Sequence, residues 1–231
     1  MALVFDIETV GTPFDQLPES AQEFLLRYCE TPGAQEEEKG RTGLSPFTAQ
    51  IVCVAFHHVE KDKGVVVARC GSQAAPAGDG LAWISAADER ELLERFWSTV
   101  SRRPDETGGR DSRLPFVTFN GRSFDVPFLL VRSGILGVKP SRDILGNRYR
   151  GDVHVDLMDQ LKFQGAARWR VNLDLACRMF GIESPKTAEM HGNMVQSMWA
   201  EGRGADIARY CHGDVRATAE LYRRWRDSMN P

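Results

Sequence analysis

The order of the apolar runs constrains this chain more than any single motif. Ala2–Phe5, Ile51–Phe56 and Val65–Ala68 are short runs rich in Val, Ile and Phe, and each reads as a strand. The polar stretch His57–Gly64 between the second and third reads as a hairpin turn. Beyond them the period changes. Leu92, Leu93, Phe96 and Val100 recur at helical spacing within Asp88–Val100, with Asp88 at its start. A strand at Leu114–Phe119, a helix at Phe124–Val131 and a short strand at Val153–Asp156 follow. Helices at Asn172–Phe180, Gly192–Glu201 and Ala205–Arg226 close the chain. Hairpins join antiparallel strands and helical crossovers join parallel ones, so the pattern predicts an α/β fold with a mixed β-sheet flanked by helices. It leaves the strand order open. At 231 residues, one domain over 1–231 is expected, with an insertion at 11–49. In that insertion Ser20–Tyr28 reads as a helix and the charged run Glu36–Lys39 as a solvated loop, while Gly71–Gly80 reads as another loop.

Composition removes several classes of function. A net charge of −3 gives no overall basic footprint, so nucleic-acid contacts must come from local Lys and Arg clusters. The five cysteines are scattered and form no Cys-x-x-Cys, which argues against a disulfide framework and a structural zinc site. Cys53 and Cys177 lie in apolar runs and read as buried thiols. No span of about eighteen apolar residues is present, so no membrane partner is expected and a cytoplasmic setting is the reading.

The acids carry the chemistry. On a strand, residues two apart share a face, so Asp6 and Glu8 present two carboxylates together while Phe5 and Ile7 turn away. Like charges that close repel unless a cation lies between them, and Mg²⁺ and Mn²⁺ favour such oxygens. In Phe119-Asn120-Gly121-Arg122-Ser123-Phe124-Asp125, Asn-Gly makes a turn, Ser123 competes for the helix cap, and Asp125 falls in the first turn. Tyr210 and Asp214 are four apart on the last helix and share a face, whereas His212 faces elsewhere. Gly213 is unfavourable in a helix and suggests a close approach to the backbone there. Asp156 is a further acid, either an outer-shell group or a helix cap.

This ordered set resembles the three motifs of the DEDD 3′–5′ exonucleases: Asp-x-Glu on a first strand, Asn-x-x-x-Phe-Asp after a later one, and Tyr-x-x-x-Asp on a late helix. It is most similar to the tyrosine subclass, in the branch related to the proofreading domain of family-B DNA polymerases. The histidine subclass carries His five residues before the last Asp, where this chain has Arg209. His154-Val155-Asp156-Leu157 and the stretch from Gly181 to Cys211 extend the likeness, which says little about 11–49 or 71–113.

The resemblance implies an RNase H-like fold and a pair of divalent metal ions, Mg²⁺ or Mn²⁺. The implied substrate is nucleic acid with a free 3′ end, single-stranded DNA rather than RNA. Asp6, Glu8, Asp125 and Asp214 would be the ligands, holding metals about 3.5–4 Å apart. Tyr210, whose ordinary pKa of about 10 makes it a poor base at neutral pH, would orient the attacking water. Substrate contacts are expected at Thr9, Asn120, Phe124, Trp169 and Lys186, with Phe124 leaning towards core packing and Arg168-Trp169-Arg170 suited to a single strand. Arg148-Tyr149-Arg150 is another candidate, whereas Arg223-Arg224-Trp225-Arg226 reads as a cap of the final helix dipole. Two rivals share the fold. A binding module with a dead site should lack at least one acid, and a two-metal endonuclease should cut circular strands.

Overall fold

The computed structural model describes residues 1–69, 81–101, 114–184 and 194–230. Its framework is a six-stranded sheet: β1 (Leu3–Gly11), β2 (Ala49–His58), β3 (Lys63–Ala68), β4 (Ala82–Ser85), β5 (Phe116–Thr118) and β6 (His154–Asp156). The spatial order is β4-β3-β2-β1-β5-β6. β2 runs antiparallel to β1 and β3, while β4 is parallel to β3, and β5 is parallel to both β1 and β6. The mixed sheet flanked by helices is therefore as expected.

Alternation along β1 sorts the two faces. Phe5 and Ile7 enter a core with α3 (Glu89–Val100) and α4 (Asp125–Leu136), which contribute Leu92, Phe96 and Leu129. Val4 enters the opposite core with α6 (Leu173–Met179), α7 (Val195–Ala200) and α8 (Gly204–Ser228). α8 buries Ile207, Cys211, Val215, Ala219, Tyr222 and Trp225 at intervals of three and four, the stripe of a helix lying on a sheet. At its far end Arg223 donates to the Val59 carbonyl and pairs with Asp62, and Arg226 pairs with Glu60. This arginine cluster therefore clasps the β2–β3 turn, a more specific role than the expected dipole cap.

Three local expectations are corrected. Residues 36–39 are helical, not loop: they end α2 (Pro32–Lys39), which Thr31 caps through the Ala34 N–H and Pro32 opens. The preceding α1 (Glu19–Leu26) matches the expected helix. β4 escapes the periodicity argument because it is a four-residue edge strand with no buried residue. Ser123 does not cap α4; Phe124 occupies the N-cap position without a side-chain cap. The expected Gly71–Gly80 loop, Lys186 and the first residues of the expected Gly192–Glu201 helix lie outside the described residues.

Candidate active site

β5 pairs with β1 only at Leu3 and Val4. Past that point the β1 backbone faces the turn that leaves β5, and the Ile7 N–H donates to Asp125 Oδ1 at 3.0 Å. A strand amide left without a ladder partner is thus satisfied by the carboxylate of the second motif. The same bond fixes Asp125 beside Asp6. The turn itself is held by Asp156, which accepts from the N–H groups of Asn120 and Arg122, both at 2.9 Å. Asn120 is left-handed, at φ +67°, a conformation Asn tolerates better than most residues. A Cβ on Gly121 would meet Thr118 at 2.5 Å, so glycine is required for the turn to fold back on β5. Asp156 also caps α5 (Leu157–Leu161) through Met158 N–H and Asp159 N–H. Of the two roles expected as alternatives it fills the cap, and it also ties the turn that leads to Asp125.

From the other side α8 brings Tyr210 and Asp214 over β1. The Tyr210 hydroxyl hydrogen-bonds Asp214, as i and i+4 on one helix allow, and its phenol is pushed far up by burial and by the charges of Asp214, Glu8 and Asp6. Tyr210 is therefore a protonated donor. Asp6 is held well above the usual carboxylate range by burial, then by Asp125, Asp214 and Glu8. Glu8 is raised by burial, then by Asp214, Cys53 and Asp125. Asp125 is pushed to about 7 by burial, against the opposing pull of the Ile7 N–H. The structure thus brings Asp6, Glu8, Asp125, Tyr210 and Asp214 together.

Cys211 belongs to the same cluster and was missed from sequence. Ligand atoms of Asp6, Glu8 and Cys211 lie within 4.8 Å of one another, and the Cys211 thiol approaches the Asp6 carbonyl at 3.5 Å. Burial and contact with Cys53 keep this thiol protonated, so it floors the site as an apolar group rather than a thiolate. Its position three residues before Asp214, on the same helix face, was the available signal.

The expected substrate residues divide. Thr9 spends its hydroxyl on the Gly43 carbonyl at 2.7 Å, anchoring the 42–44 turn to β1. Gln196 of α7 bonds both backbone groups of Gly11, at 2.8 and 3.1 Å, and fixes the strand end. Phe124 packs on Phe128 with ring centroids 5.3 Å apart, consistent with its leaning towards core. The Asn120 backbone is the part of that residue tied down. Trp169 is exposed. Gly213 lines a separate cleft of about 560 Å³ with Gly181, His57 and Arg216, and none of the four acids lines it.

A sequence family described as "Predicted 3'-5' exonuclease related to the exonuclease domain of PolB" matches residues 45–229, most of the chain. The chain belongs to this family. The match begins after Asp6 and Glu8, so the first acid pair rests on the geometry above. Two DNA polymerases are similar in sequence. That of Pyrococcus glycovorans is 25% identical over 60% of this chain and 18% of its own length. That of Desulfurococcus sp. (strain Tok) is 27% identical over 59% and 18%. The chain thus spans under a fifth of these relatives. The family B DNA polymerase from Pyrobaculum calidifontis shares the fold at TM-score 0.56 and 21% identity, covering 97% of this chain and 24% of that one. The RNase H-like α/β fold is thereby established. No described helix is long and apolar enough to cross a membrane.

Proposed function

We propose that this protein removes nucleotides from the 3′ end of nucleic acid, DNA in preference to RNA, by metal-dependent hydrolysis of the tyrosine-subclass type. The observation that carries the reading is the convergence of Asp6, Glu8 and Asp125, all raised first by burial, with Asp125 and Glu8 raising Asp6 further and Asp125 raising Glu8, and with no ion pair to Lys or Arg among the described residues. Mutually repelling carboxylates in a buried cluster fit hard divalent cations. Asp6, Glu8, Asp125 and Asp214 would hold two of them, Mg²⁺ or Mn²⁺. When bound, such ions supply acidity to water and neutralise charge on the departing 3′ oxygen.

The remaining work falls to the chain. Tyr210, kept protonated and hydrogen-bonded to Asp214, positions water by its hydroxyl and is not the base. Water oxygen bonds to phosphorus as the bond to the 3′ oxygen breaks, releasing a nucleoside 5′-monophosphate. Asp156 keeps Asp125 in place through the turn it ties. Cys211 and Cys53 keep the floor dry.

The test is digestion of 5′-labelled DNA and RNA with Mg²⁺ or Mn²⁺, beside Asp6→Ala. A ladder shortening from the 3′ end, absent in the variant, is expected, with DNA degraded faster. A labelled circular single strand should stay intact. Absence of any metal-dependent ladder sinks the proposal, and cutting of the circle turns it into an endonuclease.

A further inference from the structure

The segment Lys162–Arg170 (KFQGAARWR) has no part in the acid cluster, yet its chemistry is distinctive. It carries three cations and no acid in a chain of net charge −3. The nearest acids on either side are engaged elsewhere, Asp159 by Arg148 and Asp174 by Arg178. Lys162, Arg168 and Arg170 make no ion pair among the described residues, and both arginines are exposed. Between them stand two exposed aromatic rings, Phe163 at 56% and Trp169 at 55%, in edge-to-face contact with centroids 6.1 Å apart.

The backbone is held to present them. Phe163 and Gln164 both take left-handed conformations, at φ +50° and +57°, which non-glycine residues avoid. The turn is closed by N–H bonds from Gly165 and Ala167 to the Lys162 carbonyl, both 3.0 Å. Strain that exposes a phenylalanine is the reverse of what packing alone selects. The position is equally specific. β1, β5 and β6 run parallel, so the 119–125 turn and α5 leave the same edge of the sheet. Asp156 holds that turn and starts α5, whose five residues span about 8 Å before the aromatic segment begins.

We propose that Phe163 and Trp169, flanked by Arg168 and Arg170, form a stacking platform for unpaired bases of the strand whose 3′ end enters the acid site. Aromatic faces take any base, and guanidinium groups meet the phosphates between them. A duplex offers no free base faces, so the platform selects single strands. The proposal rests on the exonuclease reading but can be tested without catalysis.

The experiment measures fluorescence anisotropy of a labelled oligothymidylate with the full chain carrying Asp214→Asn. Adding Trp169→Ala should weaken binding about tenfold or more, and Trp169→Phe should retain most of it. Arg168→Gln with Arg170→Gln should flatten the dependence of log Kd on log salt by about 1.4, two phosphate contacts on a single strand. A matching hairpin duplex should show neither effect. Unchanged oligonucleotide affinity in Trp169→Ala overturns the platform and leaves the rings to a protein partner. Equal losses on single strand and duplex also overturn it. A wild-type chain that yields a 3′ ladder while Trp169→Ala binds normally refutes the platform alone. A wild-type chain that yields no ladder refutes the exonuclease reading.

Discussion

Glu8 and Glu89 are two equally hidden glutamates, 8% and 6% exposed, on opposite sides of one sheet. Glu89 opens α3 and is fully engaged. Arg132 donates two N–H groups to it, at 2.9 and 2.5 Å, and the Ile51 N–H adds a third at 2.8 Å. Glu8 faces Asp6, Asp125 and Asp214 and has no Lys or Arg ion pair among the described residues. Burial is costly for a carboxylate in either place. The fold offsets that cost with a cation of its own beside Glu89, and at Glu8 it gathers more anions. A buried acid with an internal counter-charge is architecture; one set among like charges is what the proposed metal-dependent reaction would require.

Breaking the like-charged cluster should give the largest effect. Asp6→Ala is expected to lower turnover by about 10³-fold or more, the scale of losing a preorganised electrostatic group, as read from ladder kinetics. Its thermal midpoint should hold or rise, because one source of repulsion is gone. A midpoint that falls with activity would make Asp6 structural. Glu89→Ala should do the opposite, leaving Arg132 buried without its partner. A loss of roughly 3–5 kcal/mol in urea unfolding is expected, with normal activity per folded molecule.

Tyr210→Phe comes next. Removing the hydroxyl should slow turnover by up to about 10²-fold, a positioning effect, while affinity for Mn²⁺ stays nearly intact. Loss of metal affinity in that variant would contradict the positioning role.

The smallest effect concerns His154, buried on Phe5 and bonded to Thr118 Oγ1 at 2.8 Å. Burial, with Arg122 nearby, lowers its pKa to about 3 from 6.5. Below the unfolded value the unfolded chain takes up a proton that the folded chain refuses. The stability it contributes is therefore lost as pH falls from 6.5 towards 3. At about pH 5 the loss relative to neutral pH is about 2 kcal/mol. His154→Gln should be less acid-sensitive by that margin in paired unfolding curves at the two pH values. Parallel curves would show that His154 is not the source.

Much of this contrast was legible in the sequence. Alternation on β1 placed Asp6 and Glu8 on one face, and four-residue spacing paired Tyr210 with Asp214, because both arguments use only strand and helix periods. What resisted were features set by tertiary contacts. The bond from Ile7 to Asp125 depends on β5 ending early. Cys211 looked like one thiol among five until α8 was laid across β1. Thr9 looked available until the 42–44 turn claimed its hydroxyl. α2 carried its start signals, Thr31 and Pro32, but its charged surface resembled a loop. β4 is too short and too exposed for periodicity to find.

The comparison of the two glutamates also supplies the most direct test. Titration of Mn²⁺ into the full chain, followed by calorimetry, should show binding in the wild type. Glu8→Gln should weaken that binding strongly, and Glu89→Gln should leave it as it was. Equal affinities in all three proteins, or binding lost with Glu89 and kept without Glu8, would contradict a metal centre built from the unneutralised acids.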